Sequence, residues 1–174
     1  MAIYMVICNN QGKFKDDNSV KCLIDYITDP EAIAPGYIYG GAVSNDPETA
    51  IIEMQQIQRD FGKESGVRMR HSVLAFSPRE AITYRQVGVI AREAIRYYSP
   101  KYQILAAVHD NRQHAHIHFA MNTVSYLDGR KYPGTKQDLY GFVKFLNQIV
   151  RPLGLFVNFQ NKAAYHSKEE CFDT

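Results

Sequence analysis

Several kinds of protein are excluded by what this chain of 174 residues lacks. It has three cysteines, Cys8, Cys22 and Cys171, an odd number at wide and unpatterned spacing. They offer neither a disulfide framework nor a cysteine zinc site, and they fit a reducing compartment. No apolar run approaches the roughly 20 residues of a membrane-spanning helix. The start, Met1-Ala2-Ile3-Tyr4, is a short apolar strand without a basic leader, so no signal peptide and no membrane are expected, and the cytoplasm is the expected location. No glycine-rich phosphate loop, Gly-x-Ser-x-Gly elbow, cysteine nucleophile motif or paired-carboxylate site is present. Nor is there an internal repeat, a low-complexity linker or a strong charge of one sign. The formal net charge is +2, which allows a local nucleic-acid patch without requiring one. Without an obvious exposed apolar stripe, a monomer is expected.

What remains is the composition of an ordinary globular domain, 45% hydrophobic and 22% charged. Its length suffices for a core without covalent staples. One stretch stands out. Four of the six histidines lie in His109-Asp110-Asn111-Arg112-Gln113-His114-Ala115-His116-Ile117-His118. Side chains alternate across a strand, so His114, His116 and His118 are expected on one face. The apolar run Ile104 to Val108 ends at His109. Two strands joined by the polar stretch Asp110 to Gln113 form a predicted hairpin whose mouth brings His109 near His116 and His118. Neutral imidazole is the commonest side-chain metal ligand, and three of them leave positions open for water or substrate. His114 is the alternative third ligand. Asp110, Asn111 and His114 are expected around the ligands, orienting their other ring nitrogens.

Along the chain, residues 1–8 read as a strand. Asn18 or Ser19 caps a short helix carrying Val20, Leu23, Ile24 and Ile27, with Tyr26 on its last turn. Residues 29–36 read as a loop and 37–43 as a short or bulged edge strand. Asn45 or Asp46 before Pro47 opens a helix running to about Phe61. A strand spans 67–76. Ser77-Pro78-Arg79-Glu80 reads as the start of the next helix, ended by Ser99-Pro100. The central hairpin follows, then the turn Asp128-Gly129 and a return through Arg130, Lys131 and Tyr132. A last long helix begins after Gly134-Thr135, and a strand lies at 155–159. The fold expected is α/β, with a largely antiparallel central sheet and helices packed on its faces. One domain is expected over 1–159, with a polar tail over 160–174. Arg68, Arg70, Arg112, Arg130, Lys131 and Lys136 are the candidates for phosphate contacts around the cleft. Tyr37, Tyr39, Tyr126 and Tyr132 are candidates for stacking on unpaired bases.

These motifs resemble those of conjugative relaxases of the MOBP class, members of the HUH endonucleases, named for His-hydrophobic-His. His116-Ile117-His118 is that motif. The longer pattern His-x-Asp-x-x-His/Asn-x-His-x-His is matched by His109, His114, His116 and His118, with Asn111 at the usual aspartate position and Asp110 beside it. The tyrosine motif Leu-x-x-Tyr-Ile is matched by Leu23 and Tyr26-Ile27. The middle motif His-x-x-x-Ser-Phe is matched by His71 and Phe76, while Ala75 stands at the serine position and Ser77 or Ser72 is left to take its role toward DNA. The resemblance covers about residues 1–159. The order, tyrosine before histidines, is that of relaxases and not of rolling-circle replication initiators.

The resemblance implies an HUH relaxase-like fold, a DNA partner carrying an origin of transfer with a hairpin or single-stranded nick region, and accessory transfer proteins. It implies a divalent cation held by His109, His116 and His118, with Tyr26 as the nucleophile that forms a 5′-phosphotyrosyl link. Magnesium or manganese suits that role, and three imidazoles also accept zinc, nickel or cobalt. A free tyrosine ionises at about pH 10, so the nucleophile needs the metal or a base nearby. Tyr97-Tyr98 is a competing pair, better suited to packing. Three other functions stay open on the residues alone: another HUH nuclease (a replication initiator or single-strand transposase), a metal-dependent phosphoesterase without a covalent step, and a DNA-binding module with a structural metal.

Overall fold

The computed structural model describes residues 1–7, 16–109 and 114–160. The elements are β1 (Ala2–Ile7), α1 (Asp17–Ile27), β2 (Ile33–Gly41), α2 (Pro47–Asp60), β3 (Met69–Ala75), α3 (Tyr84–Ala94), β4 (Tyr102–His109), β5 (His116–Ser125), α4 (Lys136–Val150) and β6 (Val157–Phe159). The strands form one sheet in the order β2-β4-β5-β3-β1-β6. All neighbours are antiparallel except β1 and β6. The expected α/β class and largely antiparallel sheet are what the chain forms.

Strand alternation divides the core in two. Ile104, Ala106 and Val108 of β4 and Ile117, Phe119 and Met121 of β5 join α3 and α4 in one cluster. Leu105, Ala107 and Ala120, the residues between them, join α1 and α2 in the other. The helices therefore cover both sheet faces, two on each. In α1, Val20, Leu23, Ile24 and Ile27 recur at helical spacing and are all fully buried. Each such side chain stabilises the folded state by about 1.5–3 kcal/mol. That stripe sets the rotation of the helix and hence the place of Tyr26.

Local signals moved three boundaries. Helix α1 is capped by Asp16, not by Asn18 or Ser19. Asp16 Oδ1 accepts from the Ser19 amide at 2.7 Å, and Ser19 serves as the return arm of a capping box. The segment expected as a loop at 29–36 contributes to β2, where Ile33 pairs with His109 ahead of a bulge between Ile33 and Ile38. Ser77 does not start α3. Residues 77–80 close a single turn, with the Ser77 amide on Glu80 Oε2 at 2.6 Å. The helix starts after Thr83, whose box with Gln86 satisfies both sides of the cap. Two capping signatures stood close together, and the one followed directly by apolar residues at helical spacing, Val87, Ile90, Ala91 and Ala94, nucleates the helix. The expected tail lies outside the described residues apart from Gln160, whose amide bonds Tyr4 O at 3.0 Å.

Candidate metal and nucleophile site

The site is built on the sheet face under α1. Strands β4 and β5 pair antiparallel with His109 opposite His116 and Ala107 opposite His118. Opposed residues share a face, so His109, His116 and His118 all point to the α1 side. Their ligand nitrogens lie within 4.8 Å of one another, and all three rings are buried. The adjacent Ala75, Ala107 and Ala120 on the same face are small. They leave the space above the sheet to the rings and to Tyr26.

The hydrogen bonds fix which nitrogen each ring turns inward. A carbonyl oxygen only accepts, so His109 Nε2, 2.8 Å from Ile27 O, carries a proton, and in the neutral ring its Nδ1 carries the lone pair. By the same reasoning His116 Nδ1 donates to His114 O at 3.3 Å, and Nε2 carries the lone pair. His118 Nδ1 meets His71 Nε2 at 2.8 Å. Ile27 is the last residue of α1, whose final turn holds no basic side chain. The negative end of the helix dipole thus faces His109, which favours a cation nearby. The donor set suits a divalent ion: three neutral imidazoles, oriented from outside by other groups, with fewer protein ligands than a closed structural site takes.

Tyr26 joins this group from α1. Its ring lies 5.4 Å from that of His118, 5.8 Å from His71 and 6.4 Å from His109. The other tyrosine pair sits elsewhere: Tyr97 and Tyr98 pack in the core of the opposite face.

The remaining candidates divide. His114 precedes β5, with its ring 6.0 Å from that of His116, and is outside the converging group. Asp110, Asn111 and Arg112 lie outside the described residues. Ser77 follows β3 at the histidine end of the sheet, where the Phe76 amide bonds Ala115 O. Ser72 is buried, next in the strand to His71, and so faces the other way. Ala75, at the family's serine position, lies directly opposite His116.

Arg70, Arg130 and Lys131 are not brought to the histidines. Arg70 points to the α3–α4 face, where its guanidinium donates to the hydroxyls of Tyr98 and Tyr132. Both tyrosines in turn donate to Asp138 of α4. Lys131 bridges to Val124 near the far end of β5, roughly 25 Å along the strand from His116 at about 3.3 Å per residue. Its ammonium bonds Val67 O at 2.9 Å. Arg130, at that same end, is 82% exposed beside Asp128. Arg68 is buried against Gln58 Oε1 at 2.6 Å.

Sequence reasoning passed over the Ile27 carbonyl, and it read His71 as a strand histidine with one hydrogen-bond partner without naming that partner as His118. A backbone carbonyl has no sequence signature. His71 had one, its place on the strand beside the histidine motif, but only the register made it the partner of His118.

The class to which this site belongs is that of relaxase nuclease domains: residues 26–155 match the family model for relaxases, MobA/VirD2-like, nuclease domain. That match covers most of the chain, and the protein belongs to this family. The chain is similar to a protein named rlx from Staphylococcus aureus, 29% identical over 112 residues, which are 64% of this chain and 35% of that protein. It is also similar to the group II intron-interrupted relaxase LtrB of Lactococcus lactis subsp. cremoris, 26% identical over 88 residues, 50% of this chain and 15% of LtrB. The chain thus spans about a third of the rlx protein and less of LtrB. No solved structure matches it significantly. Among the described residues no helix is long and apolar enough to cross a membrane.

Proposed function

We propose that this domain nicks one strand of an origin of transfer and stays covalently joined to it, initiating conjugative transfer of a plasmid or integrative element. The activity is assigned to residues 1–159, acting as a monomer in the cytoplasm on single-stranded or hairpin DNA, with accessory transfer proteins as partners. Tyr26 is the nucleophile, and His109, His116 and His118 hold a divalent cation, magnesium or manganese in the cell. The observation that carries this reading is the approach of Tyr26 to the rings of His118 and His109.

A bound divalent ion supplies positive charge to the non-bridging oxygens of the scissile phosphate. The chain's own contribution is geometric and electrostatic. Three neutral ligands add no negative charge, so the site keeps its attraction for a phosphodiester. Ile27 O, His114 O and His71 hold the rings from outside, which lowers the reorganisation needed when substrate arrives. Burial under α1 excludes bulk water from one side of the cluster. The Tyr26 hydroxyl gives up its proton to solvent as its oxygen attacks phosphorus in line, the P–O3′ bond breaks, and the leaving 3′-oxygen takes up a proton from solvent. The 5′-phosphotyrosyl ester keeps the bond energy, so the strand is rejoined by reversal.

The test uses 5′- and 3′-labelled single strands spanning the element's origin, with manganese, on a denaturing protein gel. The expected product is an adduct carrying only the 3′-side fragment, absent with Tyr26→Phe and with the double variant His116→Ala/His118→Ala. Cleavage by Tyr26→Phe without an adduct would instead mark a phosphoesterase with water as nucleophile. Metal binding without cleavage of any origin strand would mark a binding module.

A further inference from the structure

We infer that His71 is a positioning residue for the triad, fixing the tautomer and ring orientation of His118 from the neighbouring strand; this rests on the metal-binding reading above. In the β3–β5 ladder Val73 lies opposite His118 and His71 opposite Ala120, so His71 sits diagonally from His118 on the same face. Its Nε2 is 2.8 Å from His118 Nδ1, and the two rings lie edge to edge, 23° from parallel with centroids 5.1 Å apart. Both residues are buried, 7% and 4% exposed, so this hydrogen bond is shielded from competing water.

A hydrogen bond between two imidazoles takes one donor and one acceptor. When His118 offers Nε2 to a cation, its proton sits on Nδ1 and His71 Nε2 accepts it, leaving the His71 proton on Nδ1. The acceptor is then neutral. A carboxylate in this place would hold the same tautomer but add a negative charge beside a site that must attract phosphate. His71 also packs at 77° against the Tyr26 ring, 5.8 Å away, so one residue braces both the third ligand and the residue proposed to attack. The Ile27 carbonyl does the corresponding work for His109. Outside partners of this kind change metal affinity by about 10–100-fold.

The experiment is a calorimetric titration of the full chain with manganese, and with the tighter-binding cobalt. It compares wild type, His71→Phe, His71→Gln and His118→Ala, alone and combined. Phenylalanine keeps the ring and its contact with Tyr26 but removes the acceptor; His71→Leu serves should that variant fail to melt cooperatively without metal. The expected result is a 10–100-fold loss of affinity for His71→Phe. His71→Gln, whose amide oxygen can accept in place of Nε2, recovers most of it. In the His118→Ala background the His71 substitution has no further effect. Wild-type affinity in His71→Phe, or an equal loss in the His118→Ala background, overturns the inference while leaving the metal site standing. A wild-type protein that takes up neither ion removes the metal reading and this inference together.

Discussion

The ring of Tyr26 stands edge-on to that of His118, at 86° and 5.4 Å between centroids. One residue comes from the last turn of a helix near the start of the chain and the other from a central strand. Their meeting depends on the apolar stripe of α1 seating on the β4–β5 pair. The Ile27 carbonyl, one residue on, ties the same turn to His109.

Tyr26→Phe tests the proposed nucleophile by removing its oxygen while keeping the ring beside His118. Adduct formation should fall by roughly 10⁴-fold or more, as expected for loss of a nucleophile. Manganese affinity and the thermal midpoint should stay close to wild type. A variant that still forms adducts would place the nucleophile on another tyrosine.

The two histidines that precede the motif's last histidine separate by position. His116→Ala removes a member of the converging group and should abolish tight manganese binding in a titration. His114→Ala keeps the backbone carbonyl that His116 uses and should change binding by no more than about 0.5 kcal/mol. Equal losses in both would restore His114 as a ligand.

Helix α3 offers a test of the capping assignment. Thr83 Oγ1 accepts from the Gln86 amide, whereas Ser77 Oγ only meets the Arg79 amide at 3.3 Å within an exposed turn. Thr83→Ala should cost about 1 kcal/mol, a drop of roughly 2–4 °C in the thermal midpoint. Ser77→Ala should cost clearly less. The reverse order in thermal melts would return the helix start to Ser77.

Arg70 and its tyrosines predict a stability effect without a DNA effect. Arg70→Met leaves Tyr98, Tyr132 and Asp138 without their cation, and loss of one partner from a largely buried network costs about 3 kcal/mol. The salt dependence of single-strand DNA binding should be unchanged, since the guanidinium faces away from the histidines. A shallower salt slope would put Arg70 back among the phosphate contacts.

The same network sets a pH dependence. Burial pushes the Tyr132 hydroxyl from 10.0 up to about 12, and burial raises Tyr98 and Tyr4 as well. Burial works against the Arg70 charge, yet the surrounding tyrosines hold its pKa above the ordinary arginine value. With folded values above unfolded ones, the folded state holds more protons on these hydroxyls. The Tyr132 contribution is complete below pH 10 and is lost as pH rises through about 12. Urea melts between these limits should show stability falling, with a shallower fall in Tyr132→Phe. An unchanged slope in that variant would count against Tyr132 as a source.

Much of this was legible in the residues. Period-two histidines, the apolar stripe of α1 and Pro47 after a capping residue are local patterns, and local patterns survive folding because they are set by backbone geometry. The hairpin pairing of His109 with His116 follows from the short link between two strands. The α/β class and the family resemblance also came from the sequence, in motifs that no single contact defines. What the sequence left open was decided by packing over long separations. Arg70, Arg130 and Lys131 looked alike as cations on or beside strands, but strand alternation turned Arg70 to the far face and strand length carried the other two to the far end. The Ile27 carbonyl had no local signal for its role, and the strand position of His71 did not name its partner, because a hydrogen-bond partner is chosen by register and by where a helix ends over a sheet. Whether Tyr26 was a packing tyrosine or a neighbour of the histidines was a question of distance, and only the seating of α1 on the sheet answers it.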